Sequence, residues 1–394
     1  MTVPSPTGYL ITSYGEMISC EPRISAYAEA LRQSITPGCR VIDIGAGSGI
    51  FSLLACQYGA GSVIAIDPHD SIELLRASAM TNGFADRITI FKGISTDYVG
   101  PPANVIISDL RSCLPLFEQH IPSIVDARQR LLAPGGRLIP ARDDLFAALV
   151  HDPEFYIQCV EPWLSNRFEL DLTDGHRYAV NQWRKANFTP INLMSETQFV
   201  RTLDYASIAH PDMTVDFALV ADAAGEAHGF LVWFDAELAP GIGFSNAPGE
   251  PEQIYGQTFF PFERATELGI GDRIEIRLRA NLLAEGYVWS WASKVFRNGA
   301  AVPDATFSQS TFLSRILAPE KLRQRSSKLV PSVSSDHAVD RHCLSLIDGT
   351  VSLGEIADAI VLAFPGRFEG NDEALAHISK LAERYREPAE RGKL

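Results

Sequence analysis

Paired cysteines, long apolar runs and an excess of positive charge are all missing from this sequence, and each absence closes off a class of function. Six cysteines, Cys20, Cys39, Cys56, Cys113, Cys159 and Cys343, lie scattered without a C-x-x-C pair. Neither a zinc cluster nor a dithiol redox motif is readable, so no metal is expected and reduced, structural thiols are. No apolar stretch approaches the roughly 20 residues of a membrane-spanning helix; the longest are short, such as residues 145–150. The N-terminal residues lack a basic segment followed by an apolar one, which predicts no secretory signal and a soluble, cytoplasmic chain. Acidic residues outnumber basic ones 48 to 34, a net charge of −14, and that sign disfavours contact with a nucleic-acid backbone.

What is present reads as a globular protein, 46% apolar and 21% charged over 394 residues. That length predicts two or three domains. Ile24, Tyr27, Ala28 and Leu31 fall at helical spacing over 23–34, ahead of the turn Thr36-Pro37-Gly38. Short apolar runs at 41–44, 63–66, 88–91 and 105–107 alternate with helical stretches at 50–58 and up to residue 80, the pattern of a parallel α/β sheet. Pro134-Gly135-Gly136 marks a turn.

From about residue 143 the texture changes to short β-branched or aromatic runs at 215–220, 229–236, 273–279 and 287–295, separated by Gly, Pro, Asn and Asp, which predicts a second, all-β domain. A plain sandwich with only a scaffolding role stays open for it. After the charged, serine-rich stretch 318–335 the chain turns helical again. Leu353, Ile356, Ala357, Ile360, Val361 and Phe364 share one stripe behind a Ser352/Glu355 capping box, and Ala374, Leu375, Ile378, Leu381, Ala382 and Tyr385 form another.

The most informative run is Val41-Ile42-Asp43-Ile44-Gly45-Ala46-Gly47-Ser48-Gly49. Glycines allow a tight strand-to-helix turn and close approach of a ligand to helix N–H groups. Asp67 ends the next strand, 22 residues after Gly45, placed to take two ribose hydroxyls. A dinucleotide fingerprint requires a small third residue where Ile50 stands, and Asp43 suits an ammonium better than a pyrophosphate. S-adenosylmethionine (SAM), with its amino-acid moiety, is therefore favoured over a nicotinamide cofactor. A glycine turn that holds no ligand stays open.

Taken in order, Tyr14-Gly15-Glu16-Met17-Ile18-Ser19-Cys20-Glu21-Pro22-Arg23, the glycine turn and Ile106-Ile107-Ser108-Asp109 resemble the motifs of the protein arginine methyltransferases. The likeness extends through Leu131-Leu132-Ala133-Pro134-Gly135-Gly136 and Leu138-Ile139-Pro140 to Gly243-Phe244-Ser245 and Gln257-Thr258-Phe259-Phe260. It implies a Rossmann-like SAM-binding domain over 1–140. A β-barrel substrate domain would follow over 141–317, with a short dimerisation arm about 165–190, and the active site would lie between the two. The resemblance assigns Arg23 to the SAM carboxylate, Met17 to the sulfonium, Asp67 to the ribose and Ser95-Thr96 to the adenine, with Thr96 standing where the family usually has Glu. Asp43, Gly45, Gly47, Gly49, Pro68 and Ser108 complete the implied cofactor site, and Tyr14, Arg111 and Tyr255 fall on the substrate side.

The family's two acceptor-binding glutamates correspond to Asp109 and Glu118, the implied catalytic acids, which hold a guanidinium by charge-assisted hydrogen bonds. Between them the usual aromatic, methionine and glycine have become Leu110-Arg111-Ser112-Cys113, so Arg111 is expected to pair with either carboxylate and fill the guanidinium site, or to grip an acidic acceptor. The family's Thr-His-Trp turn corresponds to Gln253-Ile254-Tyr255, without the histidine. Methyl transfer needs alignment in a dry pocket more than acid–base chemistry.

The segment Leu344-Ser345-Leu346-Ile347-Asp348-Gly349-Thr350-Val351-Ser352-Leu353-Gly354-Glu355-Ile356 resembles the helical part of PqqD-type peptide-recognition domains. That implies a small helical, winged-helix-like domain over 318–394 that binds a leader peptide, or one that merely packs. The expected function is a SAM-dependent methyltransferase acting on a peptide or protein acceptor, as a homodimer. The alternatives are an O- or N-methyltransferase tailoring a ribosomally made peptide at a residue other than arginine, and a SAM-binding pseudo-enzyme that serves as a peptide-binding module.

Overall fold

A computed structural model describes residues 9–284, 286–334 and 336–385. The expectation of no signal segment concerns mainly residues 1–8, which lie outside them. Two helices come first, α1 (Ile11–Ser19) and α2 (Glu21–Ser34). Pro22 sits in the first turn of α2, where its missing N–H costs nothing, and Tyr27, Ala30 and Leu31 follow at helical spacing with no exposed surface.

Next come β1 (Arg40–Ile44), α3 (Ile50–Gln57), β2 (Ser62–Asp67), α4 (Ile72–Thr81), β3 (Ile88–Lys92), β4 (Ala103–Ser108), α5 (His120–Arg130) and β5 (Leu132–Ile139). The five strands form a parallel sheet in the order β3-β2-β1-β4-β5. Val41, Ile42 and Ile44 are all buried, as expected for a strand covered on both faces. Strand order reverses beside β1, so the carboxyl ends of β1, β2 and β4 meet at a switch point, where such sheets bind ligands. Pro134-Gly135-Gly136 lies inside β5 rather than in a free turn. Pairing with β4 jumps from Ala103↔Leu132 to Val105↔Arg137, so the three residues bulge out of the ladder, with Gly135 at φ 75°.

The following stretch contains β6 (Arg142–Val150), α6 (Pro153–Leu164), α7 (Thr173–Ala179), β7 (Arg184–Ala186), β8 (Gln198–Asp204), β9 (Met213–Val220), β10 (Gly225–Ala239), β11 (Ile242–Ser245), β12 (Gln257–Leu268), β13 (Arg273–Leu283), β14 (Gly286–Phe296) and β15 (Ala305–Ser310). The strands make two antiparallel sheets, β7-β12-β10-β6-β8 with β11 beside β10, and β15-β14-β13-β9, a barrel-like arrangement. Helices α6 and α7 interrupt the all-β expectation. Asp152 starts α6 by accepting a hydrogen bond from the Phe155 amide at 2.8 Å, and the segment leaves Trp163, Phe168 and Leu170 exposed at 41, 65 and 60%.

Tyr27, Phe51 and Leu116 share one hydrophobic core with Phe234, Tyr255 and Phe260. The parallel sheet and the barrel-like sheets therefore fall in one unit ending at Ile316, and another unit begins at Leu317. The second unit holds α8 (Pro319–Gln324), α9 (His337–Leu346), α10 (Leu353–Ala363) and α11 (Asn371–Tyr385). Val339, Cys343, Ile356, Ile360 and Ile378 form its core, and Ser352 and Glu355 make the expected capping box. No strand occurs among its described residues, so the wing of a winged helix is not seen there. All six cysteines are free and buried, and no helix among the described residues is long and apolar enough to cross a membrane.

Candidate active site

At the carboxyl end of β1 the glycine turn is tied to β2. The Gly45 and Ala46 amides donate to the Ile66 carbonyl at 2.9 and 3.1 Å, and the Gly47 amide donates to Asp67 Oδ2 at 2.9 Å. Gly49, at φ 85°, opens α3 with no side chain of its own to cap it, and the Ser52 amide in the first turn donates to the Asp43 carboxylate. Gly47 has φ 53°, and a Cβ there would stand 2.7 Å from Tyr14 Cε1, so only glycine lets Tyr14 lie against the turn. Tyr14 also donates to Ser71 Oγ at 2.8 Å. Tyr14 thus packs against the glycine turn. Ser95 opens a single 3₁₀ turn, and the Ser95 and Thr96 carbonyls accept from Arg130.

This cradle fits SAM. Asp67, 5% exposed, offers carboxylate oxygens at the strand end, and Ser108 Oγ is buried without a partner. Asp43 is buried and accepts from Ser52 Oγ at 2.7 Å. Burial pushes its carboxyl up to about 7 despite that hydrogen bond.

The loop between β4 and α5 carries the other half of the site, and it splits the two acids. Asp109 is enclosed by partners: Arg23 Nη2 at 2.6 Å, Arg111 Nε at 3.2 Å, and the Tyr255 hydroxyl, which donates to Oδ2 at 2.6 Å. Burial alone would raise its carboxyl, but Arg23 and then Arg111 outweigh burial and hold it at about 2. Arg23 is further fixed by donating to the Met17 carbonyl at 3.0 Å.

Arg111 has no exposed side chain. It donates to Asp143 Oδ1 at 2.7 Å and to the Tyr27 hydroxyl, and its guanidinium lies 5.3 Å from the centres of the Phe234 and Phe244 rings. Tyr205 donates to the other oxygen of Asp143. That leaves His120 Nε2, 3.1 Å away, to donate to the Tyr205 oxygen, so the ring is assigned neutral with its proton on Nε2. Burial, followed by Arg111, lowers His120 to about 3.

Glu118, by contrast, is exposed and makes no hydrogen bond or ion pair with the described residues. Its backbone is in the left-handed region at φ 41°, rare for a residue with a Cβ. The carboxylate borders a cavity of about 220 Å³ that the loop forms with the barrel. Tyr9 packs edge-on against Tyr14, ring centres 6.0 Å apart, and partial burial, then the charge of Glu118, raises its hydroxyl.

Residues 26–140 match the family model described as ribosomal protein L11 methyltransferase (PrmA), and residues 141–283 match the arginine methyltransferase oligomerization subdomain. An arginine N(omega)-methyltransferase of Streptomyces achromogenes subsp. streptozoticus is 28% identical over 274 residues, 66% of this chain and 74% of that protein. Protein arginine N-methyltransferase 1 of Dictyostelium discoideum is 26% identical over 285 residues, 68% of this chain and 83% of that protein. The solved structure of the Trypanosoma brucei PRMT1 enzyme-prozyme complex with AdoHcy superposes with a TM-score of 0.69 at 21% identity, covering 76% of this chain and 96% of that one. This chain is a protein arginine methyltransferase-like, SAM-dependent methyltransferase.

In this methyltransferase the structure gathers Arg23, Asp109, Arg111 and Tyr255 into one cluster and sets Glu118 apart on the cavity. Arg111 is not an open ligand for an acidic acceptor: Asp143 and Asp109 already neutralise it inside the protein. Sequence reasoning missed Asp143, Tyr205 and His120, because they come from β6, the end of β8 and the start of α5, with no shared motif. Tyr9 was missed too, though its place five residues before Tyr14 on the same N-terminal segment was a usable signal.

Proposed function

We propose that this methyltransferase transfers a methyl group to a guanidinium nitrogen of arginine in a peptide or protein, with Glu118 as the anchoring carboxylate. The observation that carries this is the unpaired, exposed Glu118 on a cavity beside the loop that also carries Asp109, together with relatives named as arginine methyltransferases. Bound SAM supplies a methyl group already activated on a sulfonium. The protein's work is to position and desolvate.

Asp67 would hold the ribose, Ser95 and Thr96 the adenine, and Arg23 and Asp43 the amino-acid end. Arg23 taking the donor carboxylate would leave Asp109 Oδ2 held by the Tyr255 hydroxyl alone, with capacity to accept from the acceptor alongside Glu118. The test is incubation with labelled SAM and arginine-containing peptides, with the modified residue mapped by mass spectrometry. Label on arginine is expected, and label confined to a hydroxyl, carboxylate or other amine overturns the proposal.

Asp43 makes donor binding depend on pH. Only its ionised form attracts the donor ammonium, and in the free protein it titrates at about 7. SAM affinity should therefore rise about fivefold between pH 6 and pH 7, below the pKa of the donor's own ammonium, with a proton released on binding. Calorimetry in buffers of different ionisation enthalpy reads both effects. Asp43→Asn should flatten the profile, and an affinity that is level or falling with pH in the unsubstituted protein would refute the role.

Self-association is proposed through α6, α7 and the loop between them. The match of 141–283 to an oligomerization subdomain and the exposed Trp163, Phe168 and Leu170 support it. Sedimentation should read a dimer that Trp163→Glu and Phe168→Glu convert to monomer; a monomeric unsubstituted protein at micromolar concentration rules it out.

A further inference from the structure

Pairing between β10 and β12 is interrupted at His228. Ala227 pairs with Thr266 and Gly229 with Pro261, so His228 alone faces residues 262–265 of β12. Such an irregularity re-aims side chains, and here it opens the sheet toward α6. Tyr156 enters the gap, its hydroxyl donating to the Phe262 carbonyl at 3.2 Å. The imidazole of His228, 2% exposed, reaches the residue that starts the helix.

The Asp152 amide donates to His228 Nδ1 at 3.2 Å. That contact assigns the ring's proton to Nε2, which faces Glu226 Oε2 at 3.4 Å. A neutral ring can accept such a bond. A protonated one carries a hydrogen on each nitrogen and would meet the Asp152 N–H donor against donor. The Asp152 carboxylate is already occupied, Oδ1 accepting from the Phe155 amide at 2.8 Å and Oδ2 from the Asn192 side chain at 3.1 Å.

The charged and titratable groups around the ring pull both ways. Glu226 on β10 and Asp152 favour a positive ring, but the Glu226 side chain is 44% exposed, where water weakens the attraction. His151, with its ring centre 5.2 Å away, opposes it. Tyr156 of α6 packs at 5.2 Å, and Glu263 of β12 acts on its hydroxyl. Burial outweighs the carboxylates and holds the imidazole below the ordinary histidine range.

We propose that His228 is a pH-sensitive latch on α6: the neutral ring holds the start of the helix against the barrel, and a proton on Nδ1 releases it. Once α6 lifts away, the imidazole regains its ordinary value of about 6.5, so the lifted state takes the proton more readily than the docked one. Docking is therefore full above about pH 6.5 and lost as the pH falls below it. The consequence for assembly rests on the self-association through α6 and α7 proposed above: acid should weaken it.

Hydrogen exchange of the full chain, corrected for the intrinsic effect of pH, reads the lifting of residues 152–164 as an opening constant. Between pH 7.5 and pH 5.5 that constant should rise about threefold or more in the unsubstituted protein. It should stay level in His228→Asn, whose amide oxygen replaces Nδ1 as acceptor and takes no proton, and be raised at both pH values in His228→Leu. An opening constant that ignores pH, one that rises equally in His228→Asn, or one unchanged by His228→Leu at pH 7.5 overturns the latch.

Sedimentation of the same samples reads assembly. The dimer should weaken with acid in the unsubstituted protein and hold in His228→Asn; a dimer that keeps its strength while α6 opens overturns the control of assembly. If the protein is monomeric at both pH values while α6 opens as expected, the latch stands and the self-association reading falls. If a dimer forms and the opening ignores pH, the latch falls and self-association stands.

Discussion

Replacing Arg111 with methionine should destabilise the protein by about 3–5 kcal/mol, the usual effect of removing one partner from a buried ion pair. The cause is what remains behind. Asp143 has no exposed side chain, its nearest cation is the Arg111 guanidinium at 2.7 Å, and Tyr205 alone would be left to face it. Asp109 suffers less, because Arg23 and Tyr255 still hold it.

Removing both members of the pair, as Arg111→Met with Asp143→Ala, should recover most of the loss, since a buried pair often contributes little over apolar replacements. Denaturant unfolding of the two single variants and the double variant reads this as a coupling. A single variant as stable as the unsubstituted protein would show that the pair is not closed in solution. No gain in arginine methylation is expected from Arg111→Met, because the side chain fills the protein interior rather than the cavity beside Glu118. A clear gain would restore the idea that Arg111 occupies the acceptor site.

Glu118→Gln should lower kcat/KM for an arginine peptide by about 10²-fold, equivalent to ~2.7 kcal/mol, within the range for losing the charge from a charge-assisted hydrogen bond. Glutamine keeps the size and one acceptor oxygen, so the change isolates the charge. The strained backbone at φ 41° is unaltered by the swap, and no other described residue makes a hydrogen bond or ion pair with this carboxylate. Binding of S-adenosylhomocysteine, measured by calorimetry, should stay within twofold, because Glu118 makes no contact with the glycine turn. A variant retaining more than a third of the unsubstituted kcat/KM removes Glu118 from the acceptor site.

Much of the donor half was legible because it is local. The run from Val41 to Gly49 forms a strand, a turn and a helix start within nine residues, and Asp67 follows at the end of the neighbouring strand. Backbone sterics and parallel pairing of adjacent strands suffice to bring such residues together. The capping box at Ser352 and the helical stripes behind it were legible for the same reason. The helices α6 and α7 were not: Tyr156, Cys159, Val160 and Trp163 do fall at helical spacing, but Pro162 interrupts the last turn of α6 and part of the apolar surface faces outward.

The parallel sheet and the glycine turn were written in the local pattern of the chain, and so were the positions of Asp109 and Glu118 on either side of one loop. Only the tertiary structure decided that those acids differ in kind. Asp109 lies under Arg23, Arg111 and Tyr255, which lie 86, 2 and 146 residues from it along the chain, and Asp143 from the first barrel strand balances Arg111. Pairing of charges at such separations depends on which surfaces are buried together, and no local pattern records it. Glu118 keeps its charge free because its backbone turns it outward beside Trp183, just ahead of β7, and Thr258, on β12, both more than sixty positions away along the chain.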